Sequence, residues 1–212
     1  MYWRILTLGL CALAGACAGH GGAPRTGIVS GVNEAPAWRT AMAPRDSIRL
    51  DGLRAAWGGL YGKLPPGTRT VQGALVDPKA GLDHPTLTPG SYRCRQVRIH
   101  AAGSAVTARA AKPDFCFVSA GPEGFGFAKQ TGTDPSAGYL YLDGDRYVFL
   151  GARQRRAGDN STAYGKDSTR NLVGVAERIG GFRWRLAIAG ADATQLDIYE
   201  LTPVPPELQP KP

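Results

Sequence analysis

The sequence predicts a mainly β, α+β domain in which an N-terminal helix precedes a small antiparallel, barrel-like or strongly curled sheet of about eight strands. Apolar residues follow a helical period before residue 64, and from about residue 71 the pattern becomes that of strands. The later segments are short, rich in β-branched and aromatic residues, and separated by Gly, Pro, Asn and Asp. Two glycine-containing dipeptides stand where neighbouring segments would turn.

The first residues have the pattern of a secretory signal peptide, predicted over residues 1–16. Arg4 is followed by a short apolar run and then by small residues. The run is shorter than the roughly 20 apolar residues that a membrane-spanning helix needs. Ala14-Gly15-Ala16 fits ordinary cleavage, and the same residues followed by Cys17 resemble a bacterial lipoprotein signal, in which the cysteine is lipidated. Either reading predicts export from the cytosol.

The number of cysteines favours lipidation. Cys11 lies within the apolar run and is removed with it, so ordinary cleavage leaves three cysteines and a free thiol at the new terminus. Lipidation of Cys17 leaves Cys94 and Cys116 as a pair. An oxidising compartment permits a disulfide between them, and two buried free thiols are the alternative. We therefore expect a periplasmic protein anchored to a cell-envelope membrane through Cys17.

Residues 17–45, rich in Gly, Ala and Pro, are predicted to form a flexible tether, and residues 46–203 a single β-rich domain. The domain begins with a helix that Asp46 or Ser47 could cap. Its apolar residues Leu53, Trp57, Leu60 and Leu64 fall on one face, and Pro65-Pro66-Gly67 is expected to end it. Internal glycines weaken this helix, so it needs a partner surface.

The strands are predicted at Tyr92–Ile99, Asp114–Ser119, Phe125–Gln130, Tyr139–Leu142, Arg146–Ala152, Leu172–Ile179, Phe182–Ile188 and Leu196–Leu201. Asp143-Gly144 and Gly180-Gly181 predict tight hairpins. Residues 153–171 form a long polar loop, and long loops are often functional. Residues 204–212 are predicted to be a Pro-rich disordered tail. A barrel of this size is either filled by its own side chains or holds one small ligand, and the sequence leaves both open.

Several motifs resemble an uncharacterised family of exported bacterial proteins that share a domain of unknown function. The resemblance covers roughly residues 46–203 and includes both domain cysteines. It implies export and one compact domain, and it implies no activity. The motifs are Gly73–Asp77, Pro89–Arg95, Phe115-Cys116, Asp143–Gly151, Tyr164–Asp167, Gly174–Gly180 and Trp184–Leu186.

The formal net charge is +8, and the basic residues are spread along the chain rather than gathered in one tract. This spread gives no indication of nucleic-acid binding. It suits solubility, and it suits contact with a periplasmic protein or an anionic envelope component. Two groups of candidate binding residues emerge. One is the cluster Tyr164, Lys166, Asp167 and Arg170 on the long loop, and the other is an anion-binding face of Arg93, Arg95, Arg98, Arg183 and Arg185 if their strands are neighbours. A loop fixed by its own side chains and a solvated sheet face are the alternatives.

No catalytic motif is recognisable, and no cofactor or metal site is predicted. His20, His84 and His100 lie apart from one another in the sequence, and a disulfide would remove a free thiol nucleophile. A carboxylate hydrolase would need two of six side chains to converge in one pocket. These are Asp77, Asp143, Asp145, Asp167, Glu177 and Asp197.

The sequence therefore favours a non-enzymatic, lipid-anchored periplasmic binding or structural module of unknown ligand. An inhibitor of secreted proteases or lysozymes and a lipocalin-type carrier of a small ligand are the main alternatives. The inhibitor hypothesis rests on fold-level analogy alone, and the carrier requires a hollow barrel.

Overall fold

The computed structural model of the protein describes residues 37–122 and 124–208. The predicted signal peptide, the lipidation site Cys17, the tether up to residue 36 and residues 209–212 of the predicted tail lie outside the described residues. Among the described residues, no helix is both long and apolar enough to cross a membrane.

In the part of the chain that the structure describes, three α-helices precede nine strands. The α-helices are α1 (Ala37–Ala41), α2 (Pro44–Lys63) and α3 (Pro66–Gln72), and short 3-10 turns lie at Gly73–Leu75, Ser168–Arg170 and Pro206–Leu208. The strands are β1 (Gly90–Ala102), β2 (Ala105–Ala110), β3 (Asp114–Gly121), β4 (Gly124–Lys129), β5 (Ser136–Asp143), β6 (Arg146–Arg153), β7 (Asn171–Gly180), β8 (Arg183–Ala189) and β9 (Gln195–Pro203).

Eight of these strands close into an antiparallel barrel, which confirms the predicted fold class. Neighbours pair in the order β1-β3-β4-β5-β6-β7-β8-β9, and β9 pairs with β1. Because β1 has 13 residues, its first part pairs with β3 and its second part with β2. All eight predicted strands are present. The ninth, β2, was not predicted, because Ala105–Ala110 contains three alanines, no aromatic residue and only Val106 and Thr107 as β-branched residues.

The barrel interior is filled by its own side chains. Tyr92 meets Trp184 edge to face, with ring centroids 6.1 Å apart, and Phe127 meets Phe149 in the same way at 5.8 Å. The predicted disulfide between Cys94 and Cys116 is present and lies in this core. This packing argues against the lipocalin-type alternative, which needs an unfilled interior.

A second core lies between α2 and the outer face of the sheet. Leu53, Trp57, Leu60 and Leu64 are buried there, as their helical spacing predicted, against outward side chains of β1, β6, β7, β8 and β9. The helix thus covers one face of the barrel. It leaves the outer faces of β3, β4 and most of β5 outside this core.

The start of α2 differs from the prediction. Ala43 is the N-cap residue, no side chain caps it, and Pro44 begins the helix. Proline suits that position because its missing N–H would be unpaired there in any case. Asp46 lies inside the first turn and is 3% exposed. Its carboxylate accepts hydrogen bonds from the side chains of Tyr164 and Asn171.

Two other boundaries also differ. The predicted tether reached residue 45, but α1 begins at Ala37, and its Trp38 is buried in the core with Met42. The composition of Gly, Ala and Pro concealed this ordered turn. Pro65-Pro66-Gly67 ends α2 as predicted and also starts α3, which was not predicted. Within the predicted tail, Val204 is buried and Pro206–Leu208 forms a 3-10 turn.

The two predicted hairpins are present. Asp143 pairs with Arg146, so the β5–β6 turn is Gly144-Asp145, and Gly144 has a φ of 62° that favours glycine. The β7–β8 hairpin follows a bulge near Arg178, and its last pair joins Gly180 to Arg183. Leu87, from the segment that leads into β1, fills this end of the interior.

Candidate functional site

The long loop between β6 and β7 (residues 154–170, here the β6–β7 loop) is held to the barrel by buried amides. The Gln154 side chain is 3% exposed. Its Nε2 donates to the Thr162 carbonyl at 2.8 Å, and its Oε1 accepts from the Thr162 N–H at 3.0 Å. The Gly158 N–H donates to the Lys129 carbonyl at 2.9 Å. The Gln154–Thr162 bonds close the loop on itself, and the Gly158 bond joins its middle to β4, so the loop has a defined shape.

Asp46 and Tyr164 join the same loop to α2. The carboxylate Oδ2 of Asp46 accepts hydrogen bonds from the Tyr164 hydroxyl at 2.7 Å and from Asn171 Nδ2 at 2.8 Å. The Tyr164 oxygen accepts from the Ala43 N–H at 3.1 Å. Burial, together with the bond to Asp46, raises the pKa of Tyr164 to about 12. Tyr164, a predicted binding residue, therefore fixes the loop through its hydroxyl.

A cationic cavity of about 720 Å³ opens on the β6–β7 loop; we call it the loop pocket. The predicted residues Lys166, Asp167 and Arg170 all lie in its wall. Sequence reasoning missed two further cations, although the run Gln154-Arg155-Arg156 was an available signal. The full lining is Arg155, Arg156, Asp159, Ser161, Thr162, Lys166, Asp167 and Arg170.

The two carboxylates of the loop pocket are engaged in the loop's own turns. Asp167 Oδ1 accepts from the Thr169 hydroxyl at 2.6 Å and from the Thr169 N–H at 3.0 Å, and these bonds lower the pKa of Asp167. Asp159 Oδ1 accepts from the Ser161 N–H at 2.9 Å, which lowers its pKa in the same way. Both carboxylates thus stay ionised as turn formers.

The cations of the loop pocket differ in how far they are neutralised. Arg170 lies 3.7 Å from Asp167 and donates to the Arg153 carbonyl at 2.8 Å. Among the described residues, neither the Arg155 side chain nor the Lys166 side chain has a hydrogen-bond or ion-pair partner, and both residues are exposed. With four cations against two carboxylates, the pocket carries an excess of positive charge that suits an anionic group.

The second predicted group lies on β1 and β8, which are not neighbours because β9 lies between them, and carboxylates neutralise most of it. Glu200 lies between Arg95, at 2.7 Å, and Arg183, at 2.5 Å. Arg93 is exposed on the same face. Arg98 points the other way, into the end of the barrel, where its Nε lies 2.6 Å from Asp197.

Arg185 is fully buried beneath α2. Its guanidinium donates to Glu177 at 2.6 and 2.9 Å and to the Ala74 carbonyl at 2.7 Å, and it lies 4.3 Å from the Trp57 ring. Arg54 pairs with the same Glu177. Burial lowers the pKa of Arg185, and the charge of Glu177 opposes that shift. This residue joins helix to barrel and leaves no donor facing solvent, since its exposed fraction is zero.

The end of the barrel nearest the β6–β7 loop has a polar interior that the sequence did not reveal. Lys129 is 1% exposed, and its ammonium lies 2.9 Å from Asp114. Gln96 donates to Asp197 at 3.1 Å. Tertiary pairing alone brings these side chains together, because they come from four different strands. Each buried charge has an opposite partner, as burial requires.

Three of the six carboxylates considered for a hydrolase lie in the same cavity. Asp143, Asp145 and Glu177 line one cavity of about 340 Å³, whereas Asp77, Asp167 and Asp197 lie elsewhere. Glu177 is bonded to two guanidinium groups, and Asp143 accepts from Arg146 at 3.0 Å. Glu177 and Asp143 are therefore engaged by arginine side chains of the fold. Among the described residues, no group of His, Cys, Asp and Glu could hold a metal ion.

Comparison with known proteins places these features in a family. Neither a curated protein nor a solved structure matches the chain. A family model, described as a domain of unknown function, DUF4893, matches residues 38–201. The match runs from α1 to β9 and contains the helix, the barrel and the β6–β7 loop. It confirms the resemblance to a family of unknown function, and the chain belongs to the DUF4893 family.

Proposed function

We propose that this protein is a non-enzymatic binding module of the bacterial cell envelope, which holds an anionic component in the loop pocket. In this proposal the protein is exported, is anchored through lipidated Cys17 and acts in the periplasm. The signal-like N-terminus and the pairing of Cys94 with Cys116 support export, because disulfides persist in oxidising compartments.

The observation that carries the proposal is the charge of the loop pocket. Its carboxylates are committed to turns, while the side chains of Arg155 and Lys166 have no hydrogen-bond or ion-pair partner among the described residues. Gln154, Asn171 and Asp46 fix the loop from beneath. A rigid loop that holds unpaired cations is organised in advance for an anion, which lowers the entropy lost on binding.

The test is binding of the purified full-length protein to polyphosphate, an anionic polymer without sugar rings. The pocket variant replaces Arg155, Arg156 and Lys166 with Gln. The control replaces the exposed cations Arg93, Arg109 and Lys112, which lie outside the pocket, and so removes the same charge. At about 1 kcal/mol per cation at an anionic surface, the pocket variant should lose affinity on the order of a hundredfold. Equal losses in both variants would show that only net charge matters.

The anchor has its own test. Replacing Cys17 with Ser should move the protein from the membrane fraction to the soluble periplasmic fraction and abolish incorporation of labelled fatty acid. Membrane association that survives this change would contradict the lipid anchor, and it would leave the binding proposal to be judged by the polyphosphate assay.

A further inference from the structure

The outer face of β3, β4 and β5 carries exposed aromatic side chains. α2 contacts β1, β2, β7 and β8, and there the outward residues are buried. On the opposite side, Phe117 is 39% exposed and Tyr139 is 55% exposed. Exposed apolar surface gathered in one place commonly marks a binding surface.

These two rings border a trough whose floor is made of small residues. Phe117 pairs with Ala128, and Tyr139 pairs with Gly126, so β4 lies between the two aromatic side chains. Two strand spacings separate β3 from β5, which sets a width of about 10 Å. The Ser119 hydroxyl lies over Gly126, since a Cβ there would be 2.4 Å from it. The floor is therefore narrow, flat and partly polar.

The β6–β7 loop forms the wall of this trough and connects it to the loop pocket. Asn160, Thr162 and Tyr164 line the trough, which encloses about 370 Å³. Thr162 also lines the loop pocket, so one residue borders both cavities. Aromatic rings, hydroxyls and an amide thus lie next to a set of cations.

We infer that the trough binds the sugar rings of an acidic glycan whose anionic group enters the loop pocket. A sugar ring has a C–H face that packs on an aromatic ring and hydroxyls at its edge that bond to amide and hydroxyl side chains. The carboxylate or phosphate of such a glycan meets Arg155, Arg156 and Lys166. This inference rests on the proposed function and names the class of its ligand.

The test compares an oligosaccharide that contains uronic acid with polyphosphate, using the purified full-length protein. Replacing Phe117 and Tyr139 with Ala should raise the Kd for the acidic oligosaccharide about tenfold, as expected for the loss of two aromatic contacts, and leave the Kd for polyphosphate unchanged. The control replaces Phe115 and Phe182, exposed by 44% and 79% and outside the trough, and should change neither Kd. Thermal unfolding of each variant checks the fold.

Three results would overturn the inference. Unchanged binding of the oligosaccharide by the trough variant, with binding still lost in the pocket variant, would refute the sugar site and leave the proposed function intact. Equal losses for polyphosphate and oligosaccharide would show that the rings only support the loop. Self-association that disappears in the trough variant would assign the surface to a second copy of the chain. Failure of the wild-type protein to bind polyphosphate would instead refute the proposed function.

Discussion

The buried pair Glu177–Arg185 should dominate the stability of the junction between α2 and the barrel. Arg185 is fully buried, Glu177 is 4% exposed, and two hydrogen bonds of 2.6 and 2.9 Å join them. Replacing Glu177 with Gln leaves the guanidinium buried beside Trp57 without its counter-charge. Removing one partner of a buried ion pair typically costs about 3–5 kcal/mol. Because Gln retains one acceptor oxygen, we expect a loss of about 3 kcal/mol.

Glu200 provides a matched control on the same outer face of the sheet. It bridges Arg95 and Arg183, whose side chains are 25% and 37% exposed. Pairs of this exposure contribute about 1 kcal/mol or less, so Glu200→Gln should have a small effect. Urea unfolding followed by tryptophan fluorescence measures both variants. Equal losses of unfolding free energy in the two variants would refute the reasoning that burial sets how much an ion pair contributes to stability.

A double variant separates charge from packing at the same junction. Replacing Glu177 with Leu and Arg185 with Met removes both charges, and such replacements are often neutral. Here the carbonyls of Ala74 and Asp77 would lose their donor. The double variant should therefore recover only part of the stability lost in Glu177→Gln. A double variant less stable than the single would contradict this account.

The other predictions concern the disulfide, the tyrosine anchor and salt. Replacing Cys94 and Cys116 with Ala opens a loop with a sequence separation of 22 and should lower the free energy of unfolding by about 3 kcal/mol. An unchanged midpoint of urea unfolding would contradict this prediction. The pKa of Tyr164 is raised to about 12 by folding, so its stabilisation is full below the unfolded pKa of about 10 and is lost as the pH rises through 12. Tyr164→Phe should therefore flatten the stability curve between those pH values, and Tyr147 and Tyr199, whose pKa values are also raised, should leave a residual slope of the same sign. Polyphosphate binding should weaken as salt rises, and salt-independent binding would exclude the exposed cations as its source.

Local patterns predicted most of the barrel. The segment from Tyr147 to Leu150 consists of aromatic, β-branched and other large apolar residues, and the segment from Trp184 to Leu186 alternates apolar and charged residues. Gly144 marks a turn that requires a positive φ. Local patterns did not predict the full length of β1, which allows this one strand to pair with three others. Trp38 shows the same limit. The residues around Trp38 suggested a tether, but the Trp38 side chain is buried in the core.

The candidate site was predictable only in part, because the sequence does not reveal which charges meet. Lys166, Asp167 and Arg170 stood together in one loop and were found. Arg155 was missed as their partner because the loop returns on itself through Gln154. Arg185 appeared to be an ordinary solvated strand residue. Its burial depends on Glu177, which approaches across a strand pair.

The loop pocket as the ligand site is the central claim, and hydrogen exchange tests it most directly. Deuterium uptake would be measured by mass spectrometry on the full-length protein with and without polyphosphate. We predict that bound polyphosphate slows exchange within residues 154–170 and leaves the face formed by β1, β8 and β9 unchanged. Protection confined to that face, with none in the β6–β7 loop, would contradict the account.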